Sequence, residues 1–207
     1  MTKTISLSRF SGPVKAQQPN NDCAEWAAYS YVHIVTQQAT GVAKEISVFQ
    51  PYWDARELVG TTASDPGTGS VGDLLNLRTG MTKGYADASV FANVSSNLYV
   101  QPSQAVYDNA AGFKVESYRQ LDPYASSGTW IKNIQTELSH GKPVIVVLDS
   151  LETVVRHVVL IERADDVTQT YTFKNSWDAT WDGDGYGTLA YSQSIKFCGA
   201  YVIDEIG

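Results

Sequence analysis

The chain has 207 residues, 43% of them hydrophobic and 18% charged. That is long enough for one substantial core or two tightly apposed lobes, and apolar enough to exclude a disordered chain. The net charge of −7 is spread without a long run of one sign, and no basic stripe marks a nucleic-acid partner.

The amino terminus, MTKTISLSRFSGPVK, has no apolar core of the kind a secretory signal carries. No apolar run approaches the roughly 18 residues of a membrane span. The sequence as given is therefore expected to be cytoplasmic and to have no membrane partner, with a clipped mature form or a non-classical export route as the other possibilities. Cys23 and Cys198 are the only cysteines, so no disulfide framework is implied and a reducing compartment fits. An N-x-S match at Asn93 has little weight without a secretory signal.

Residues 23–38, CAEWAAYSYVHIVTQQ, lack Gly and Pro and are apolar on more than one face, which predicts a helix buried between layers. Asp22 stands at its N-cap position and Gly41 a little beyond its end. Further helices are expected at 50–59, 70–79 and 86–94. The second of these has Ser70 as its cap and Leu74, Leu75 and Leu77 on its inner side. Another helix is expected at 129–140, opened by Thr129 and closed by Gly141. After Pro143 the character changes. VIVVLD, HVVLIE, TQTYTFKN, GYGTLAYS and CGAYVIDEI are β-branched and aromatic runs that read as strands. Helices ahead of strands argue for an α+β fold, a helical lobe packed against a twisted sheet or barrel in one unit.

Three residues far apart in sequence form a possible constellation. Cys23 opens the longest helix, where free N–H groups and a positive partial charge favour thiolate over thiol. His157 lies at the start of the HVVLIE run, whereas His33 falls inside a helix and His140 ends one. Asn175 ends the TYTFKN run, where its amide can accept from one ring nitrogen of His157 and leave the other to meet the thiol. Trp177 is placed to shield that bond. The neighbouring acidic stretch, DGDG at 182–185, invites a calcium reading, but a calcium loop needs a Glu near its twelfth position. Counting from Asp178 or Asp182 reaches Leu189 or Gln193 instead.

These residues carry a resemblance. NSWDATWDGDGY, 175–186, is similar to the N-S-W-x-x-x-W-x-x-x-G-Y signature of the papain-like cysteine peptidases. PVKAQQPNNDC, with Pro13, Val14, Gln17 and Cys23, resembles that family's approach to its nucleophile. GKPVIVVLDS and FCGAYVID resemble its later strands. ISVFQPYWDARELVG followed by DPGTGS resembles a compact bacterial branch without a pro-segment ahead of the catalytic residues. The resemblance implies a single catalytic domain over 1–207, with a helical lobe at about 13–100, a β lobe at about 101–207 and a cleft between them. It implies a Cys23–His157–Asn175 triad, with Gln17 and the Cys23 amide as oxyanion donors and Gln18 as the substitute if the loop slips by one residue. Gly67, Gly69 and Ser70 would border the substrate and Trp177 would cover the triad. It further implies a peptide or protein substrate, a monomer, and no metal or organic cofactor.

Departures from the family pattern raise specific expectations. Asn21 stands where the family has a glycine and is expected to take positive φ in its place. Asp22 brings a negative charge beside Cys23 unless its carboxylate turns to the helix amides as a cap, the orientation expected here. Arg156 places a cation beside His157 that would lower the imidazole pKa unless solvent screens it. The short segment ahead of His157 implies a more open leaving-group side. Most disulfide cysteines are missing, and Cys198 is expected to be a buried small side chain. Thioester-forming peptidase chemistry accounts best for these motifs. A deamidase or transglutaminase-like acyltransferase on the same triad, and a binding protein on an inherited fold, are the other readings.

Overall fold

The computed structural model describes residues 3–17, 19–67, 72–122 and 126–207. The five β-branched runs all become strands: β3 (Val144–Leu151), β4 (Val154–Asp165), β5 (Thr170–Lys174), β6 (Tyr186–Ala190) and β7 (Phe197–Ile206). Two strands that their own sequences do not announce join them, β1 (Thr4–Ser6) and β2 (Val115–Gln120). Every pairing is antiparallel, in the order β2-β7-β3-β4-β5-β6. β4 is long enough to pair with β3 over its first two-thirds and with β1 over Arg163–Asp165 beyond it. The chain start is thereby stitched to the sheet. Consecutive residues Val144–Leu148 are all buried, so both faces of β3 are covered.

The helices are α1 (Cys23–Thr40), α2 (Phe49–Val59), α3 (Gly72–Thr82), α4 (Gln104–Ala110) and α5 (Ser127–Ser139). All residues from Ala24 to Ile34 are buried. The expected absence of a polar face has a direct cause, since α1 packs on β3 and β4 and is also in contact with α2 and α3. The Tyr31 hydroxyl, buried by that packing, donates to the Ile203 carbonyl at 2.7 Å. α5 begins two residues ahead of Thr129, because the Ser126 side chain, not Thr129, provides the cap by accepting from the Thr129 N–H. His140 is its C-cap residue, and Gly141 follows with φ +79°. Of the leucines placed on the inner side of α3, Leu77 is buried. Ser70 and the side chains of Leu74 and Leu75 lie outside the described residues.

The helix expected at 86–94 does not form. Asn93 takes the backbone of a neighbouring segment instead, accepting from the Val48 N–H at 2.7 Å and donating to the Ile46 carbonyl at 3.0 Å. With Ile46 bridged to Asp87, the stretch becomes a series of turns laid against residues 46–48. The same two bonds occupy the Asn93 amide, so the N-x-S match there is a structural side chain. No helix among the described residues is long and apolar enough to cross a membrane.

Candidate active site

The fold sets three segments around one cavity of about 170 Å³. Gln17, Asn21, Cys23 and Ala24 line it from the start of α1 and the loop before it, Pro66 and Gly67 from the loop after α2, and residues 154–158 and Trp177 from the sheet. An isolated bridge between Ala16 and Trp177 and a 2.7 Å bond from the Gln17 N–H to the Ser176 carbonyl hold the first segment to the last.

His157 sits on β4 opposite Leu148 of β3 and is 1% exposed. Its Nε2 lies 2.6 Å from Asn175 Oδ1. Asn175 Oδ1 also accepts from the Ser176 N–H at 2.8 Å, which fixes it as the carbonyl end of the amide. Nε2 must then carry the proton, and in the neutral ring Nδ1 is left with the lone pair. The Trp177 ring lies over the imidazole, with centroids 4.6 Å apart and planes at 37°, and Trp181 meets Trp177 edge-on. Burial pushes the His157 pKa down to about 4, against the opposing pull of the Asn175 bond. Burial by itself therefore favours the neutral imidazole. Arg156 does not contribute to that shift: it is the screened case of the expectation, an exposed residue with φ +61° whose guanidinium faces water.

Gln17 is 5% exposed. Its Oε1 accepts from the Ser176 hydroxyl and its Nε2 donates to the Asn20 carbonyl at 3.0 Å, which leaves the second amide hydrogen for the cavity. Gln18 lies outside the described residues. Cys23 is half-buried and is the first residue of α1.

Two expectations for the nucleophile loop are corrected. Asp22 occupies the N-cap position but its side chain does not cap. Oδ2 instead accepts from the Trp26 indole N–H at 3.1 Å, because that buried donor, one turn along, needs an acceptor. Asp22 is fully buried, and burial, aided by the Asp65 carboxylate, pushes its pKa up to about 7. Asn21 is not among the positive-φ residues and supplies no substitute for a glycine; its N–H groups bond to Asp65. Gly67 does border the cavity, with φ +71°, and a side chain there would meet the Asn21 carbonyl at 3.3 Å. Gly69 and Ser70 lie outside the described residues. Cys198 is half-buried, with Sγ 3.7 Å from Asp149 Oδ1.

β3 and β4 are joined by the two residues Glu152 and Thr153 alone, which keeps that side of the cavity low. Val155 stands there 73% exposed. Asp178 and Asp184 serve local turns. Asp178 Oδ1 accepts from the Thr180 and Trp181 N–H groups, and Asp184 Oδ1 from Tyr186 N–H at 3.0 Å. Sequence reasoning assigns no role to Tyr52 or Asp65, which bond to the nucleophile loop at Asn21 and to Gly67; an Asp-Pro-Gly turn after a Tyr- and Arg-bearing helix is the signal they leave.

A helix carrying a cysteine at its start, packed on an antiparallel sheet that carries a His–Asn pair under a Trp, defines the papain-like cysteine protease fold. Residues 17–197 match the Peptidase_C39 like family, and the chain belongs to it. Among solved structures it is similar to xylellain, a cysteine protease from Xylella fastidiosa, at 18% identity and a TM-score of 0.79, covering 97% of this chain and 85% of that one. It is similar to the bromelain protease from Ananas comosus in complex with the E64 inhibitor, at 17% identity and a TM-score of 0.73, covering 99% and 100%. Digestive procathepsin L 3 of Tenebrio molitor gives 15% identity and a TM-score of 0.71, covering 96% and 69%. No curated protein sequence matches.

Proposed function

We propose that this protein is a thiol-dependent peptidase that hydrolyses peptide bonds through Cys23, His157 and Asn175. The observation that carries this reading is the 2.6 Å bond from His157 Nε2 to Asn175 Oδ1 under the Trp177 ring, which leaves Nδ1 as the basic nitrogen in the ring that shares a cavity with Cys23.

Neutral His157 takes the Cys23 proton, and the thiolate attacks the substrate carbonyl carbon. The developing oxyanion accepts from the Cys23 backbone N–H and from the second amide hydrogen of Gln17. The imidazolium then gives its proton to the leaving amine as the C–N bond breaks, and a thioester remains. Water, deprotonated by His157, adds to the thioester, and the thiolate leaves as the substrate acid is released. Asn175 keeps the ring in one tautomer throughout. Gly67 borders the acyl side, and Trp177 closes the triad from above.

The test is intact-mass labelling with an epoxide thiol trap, read beside hydrolysis of a peptide library. Single labelling at Cys23, lost in His157→Ala, and products ending in a free carboxylate are expected. Labelling no faster than that of an ordinary thiol would sink the reading. Products carrying a transferred amine would replace it with acyl transfer.

A further inference from the structure

The nucleophile loop and the substrate edge are tied together by a carboxylate that the mechanism does not use. Asn21, two residues before Cys23, gives its backbone N–H to both Asp65 carboxylate oxygens, at 3.3 and 3.2 Å. Its side-chain Nδ2 donates to the Asp65 carbonyl at 2.8 Å. The Tyr52 hydroxyl donates to Asp65 Oδ1, and the same hydroxyl oxygen accepts from the Gly67 N–H at 3.2 Å. One tyrosine oxygen thus bridges the carboxylate that holds Asn21 and the residue that borders the cavity.

The anchor behind this bridge is buried and hydrogen-bonded. Tyr52 is 0% exposed on α2. Arg56, one turn later and equally buried, lies over its ring at 4.3 Å. Arg56 also donates to the Ser64 carbonyl at 2.7 Å and to the Leu98 carbonyl, which fixes the loop that carries Asp65. Burial and the adjacent Asp65 hold the Tyr52 hydroxyl well above its ordinary pKa, so it remains a donor. The preceding residue, Asn20, is held separately, by Gln17 at its carbonyl and by its own Nδ2 at Ser95 Oγ.

We propose that Asp65 and Tyr52 are positioning residues for the reaction, a hydrogen-bonded clasp that sets the Cys23 amide and the Gly67 edge at a fixed separation across the cavity. The proposal rests on the peptidase reading. Its physical basis is that the attacking sulfur and the first oxyanion donor both belong to Cys23, and their placement follows the backbone at Asn21. Displacements of about 1 Å in such groups lower rates by roughly 100-fold.

The experiment uses the full chain and the variants Asp65→Ala, Asp65→Asn and Tyr52→Phe. Two readouts are followed: the pH profile of Cys23 alkylation by iodoacetamide, which needs no known substrate, and kcat and KM on a peptide the parent cleaves. Asp65→Ala is expected to lower kcat by about 10- to 100-fold. It is also expected to move the alkylation midpoint upward, toward the roughly 8.5 of a free thiol. Asp65→Asn, which keeps one acceptor for the Asn21 N–H, should recover part of both. Tyr52→Phe keeps the ring against Arg56 and removes only the bridge, so it carries the test if Asp65→Ala does not fold; a several-fold loss of kcat is expected. Parent-like kcat and alkylation profiles in the folded variants, from a parent with a reactive thiol, overturn the clasp. A parent Cys23 that alkylates like a free thiol overturns the peptidase reading itself.

Discussion

His157 Nε2 and Asn175 Oδ1 lie 2.6 Å apart, and the oxygen accepts a second hydrogen bond from the next backbone N–H. An amide oxygen committed twice cannot rotate away without losing both partners. The imidazole is thus held in one tautomer before any substrate arrives. Its burial is as important as the bond, because burial is the first cause of the depressed pKa.

The first prediction isolates that effect. In Cys23→Ala, which removes the thiolate that would favour an imidazolium, the His157 ring should titrate near pH 4, read by proton NMR of the imidazole. Trp177→Ala in the same background opens the ring to water and should raise the midpoint toward the ordinary 6.5. The sign for stability follows. The folded pKa lies below the unfolded one, so between 6.5 and about 4 the unfolded chain binds the extra proton and stability falls as pH falls. A midpoint at or above 6.5 in Cys23→Ala would contradict the burial argument.

The second concerns Gln17. Its Oε1 accepts from Ser176 Oγ, while Nε2 supplies both the Asn20 contact and the proposed oxyanion donor. Gln17→Glu keeps the acceptor and deletes the donor. Loss of one such donor typically lowers kcat by ~100- to 1,000-fold. Gln17→Glu and Gln17→Ala should both show a loss of that order, with circular dichroism spectra like the parent's. Parent-like turnover in either would remove Gln17 from the oxyanion site.

How much of this is legible in the sequence depends on the range of the forces involved. The five strands from β3 to β7 are legible because runs such as VIVVLD have intrinsic strand chemistry. β1 (TIS) and β2 (VESYRQ) are not, since they are strands only by pairing with β4 and β7. Residues 86–94 read as a helix; the Asn93 amide and the backbone at 46–48 decide otherwise. The His157–Asn175 contact is foreseeable from a motif in which the residue types carry the geometry. The departure at Asp22 has a local cause, an indole N–H at Trp26 that outcompetes the helix amides. Asp65 and Tyr52 lie in stretches that carry the resemblance but assign them no role, and their bond is visible only once the loop after α2 is folded back.

Asp22 supplies the third prediction. Its folded pKa is raised from 3.8 to about 7, so the folded chain keeps a proton that the unfolded chain has released. The parent therefore loses stability as pH rises from about 4 to 7, and the penalty is complete above that window. Asp22→Asn keeps an acceptor for Trp26 and does not titrate. Its stability relative to the parent should rise across the window by up to roughly 4 kcal/mol at ~1.4 kcal/mol per pKa unit. Urea unfolding at pH 4 and pH 8 measures the difference. An equal offset at both pH values would show that Asp22 ionises normally.

The last prediction contrasts two glycines of the turn that leads out of Asn175. Gly183 has φ +93°, and a Cβ added there would meet nothing within 4 Å. Gly185 has φ +82°, but a Cβ there would lie 2.6 Å from Val14 Cγ1 and 2.7 Å from the Asp178 carbonyl. Both substitutions to alanine carry left-handed strain of about 1–2 kcal/mol. Gly185→Ala adds overpacking, about 1–3 kcal/mol more. For a domain of this size each kcal/mol lowers Tm by about 2–4 °C, so Gly185→Ala should melt several degrees below Gly183→Ala. It should also lose activity that Gly183→Ala keeps, because the Gly185 carbonyl accepts from the Asn175 N–H at 3.1 Å and Val14 leads into Gln17. Pushing Gly185 outward therefore moves the amide that orients His157. Equal melting temperatures for the two variants would show that this turn yields without strain and does not hold Asn175 in place.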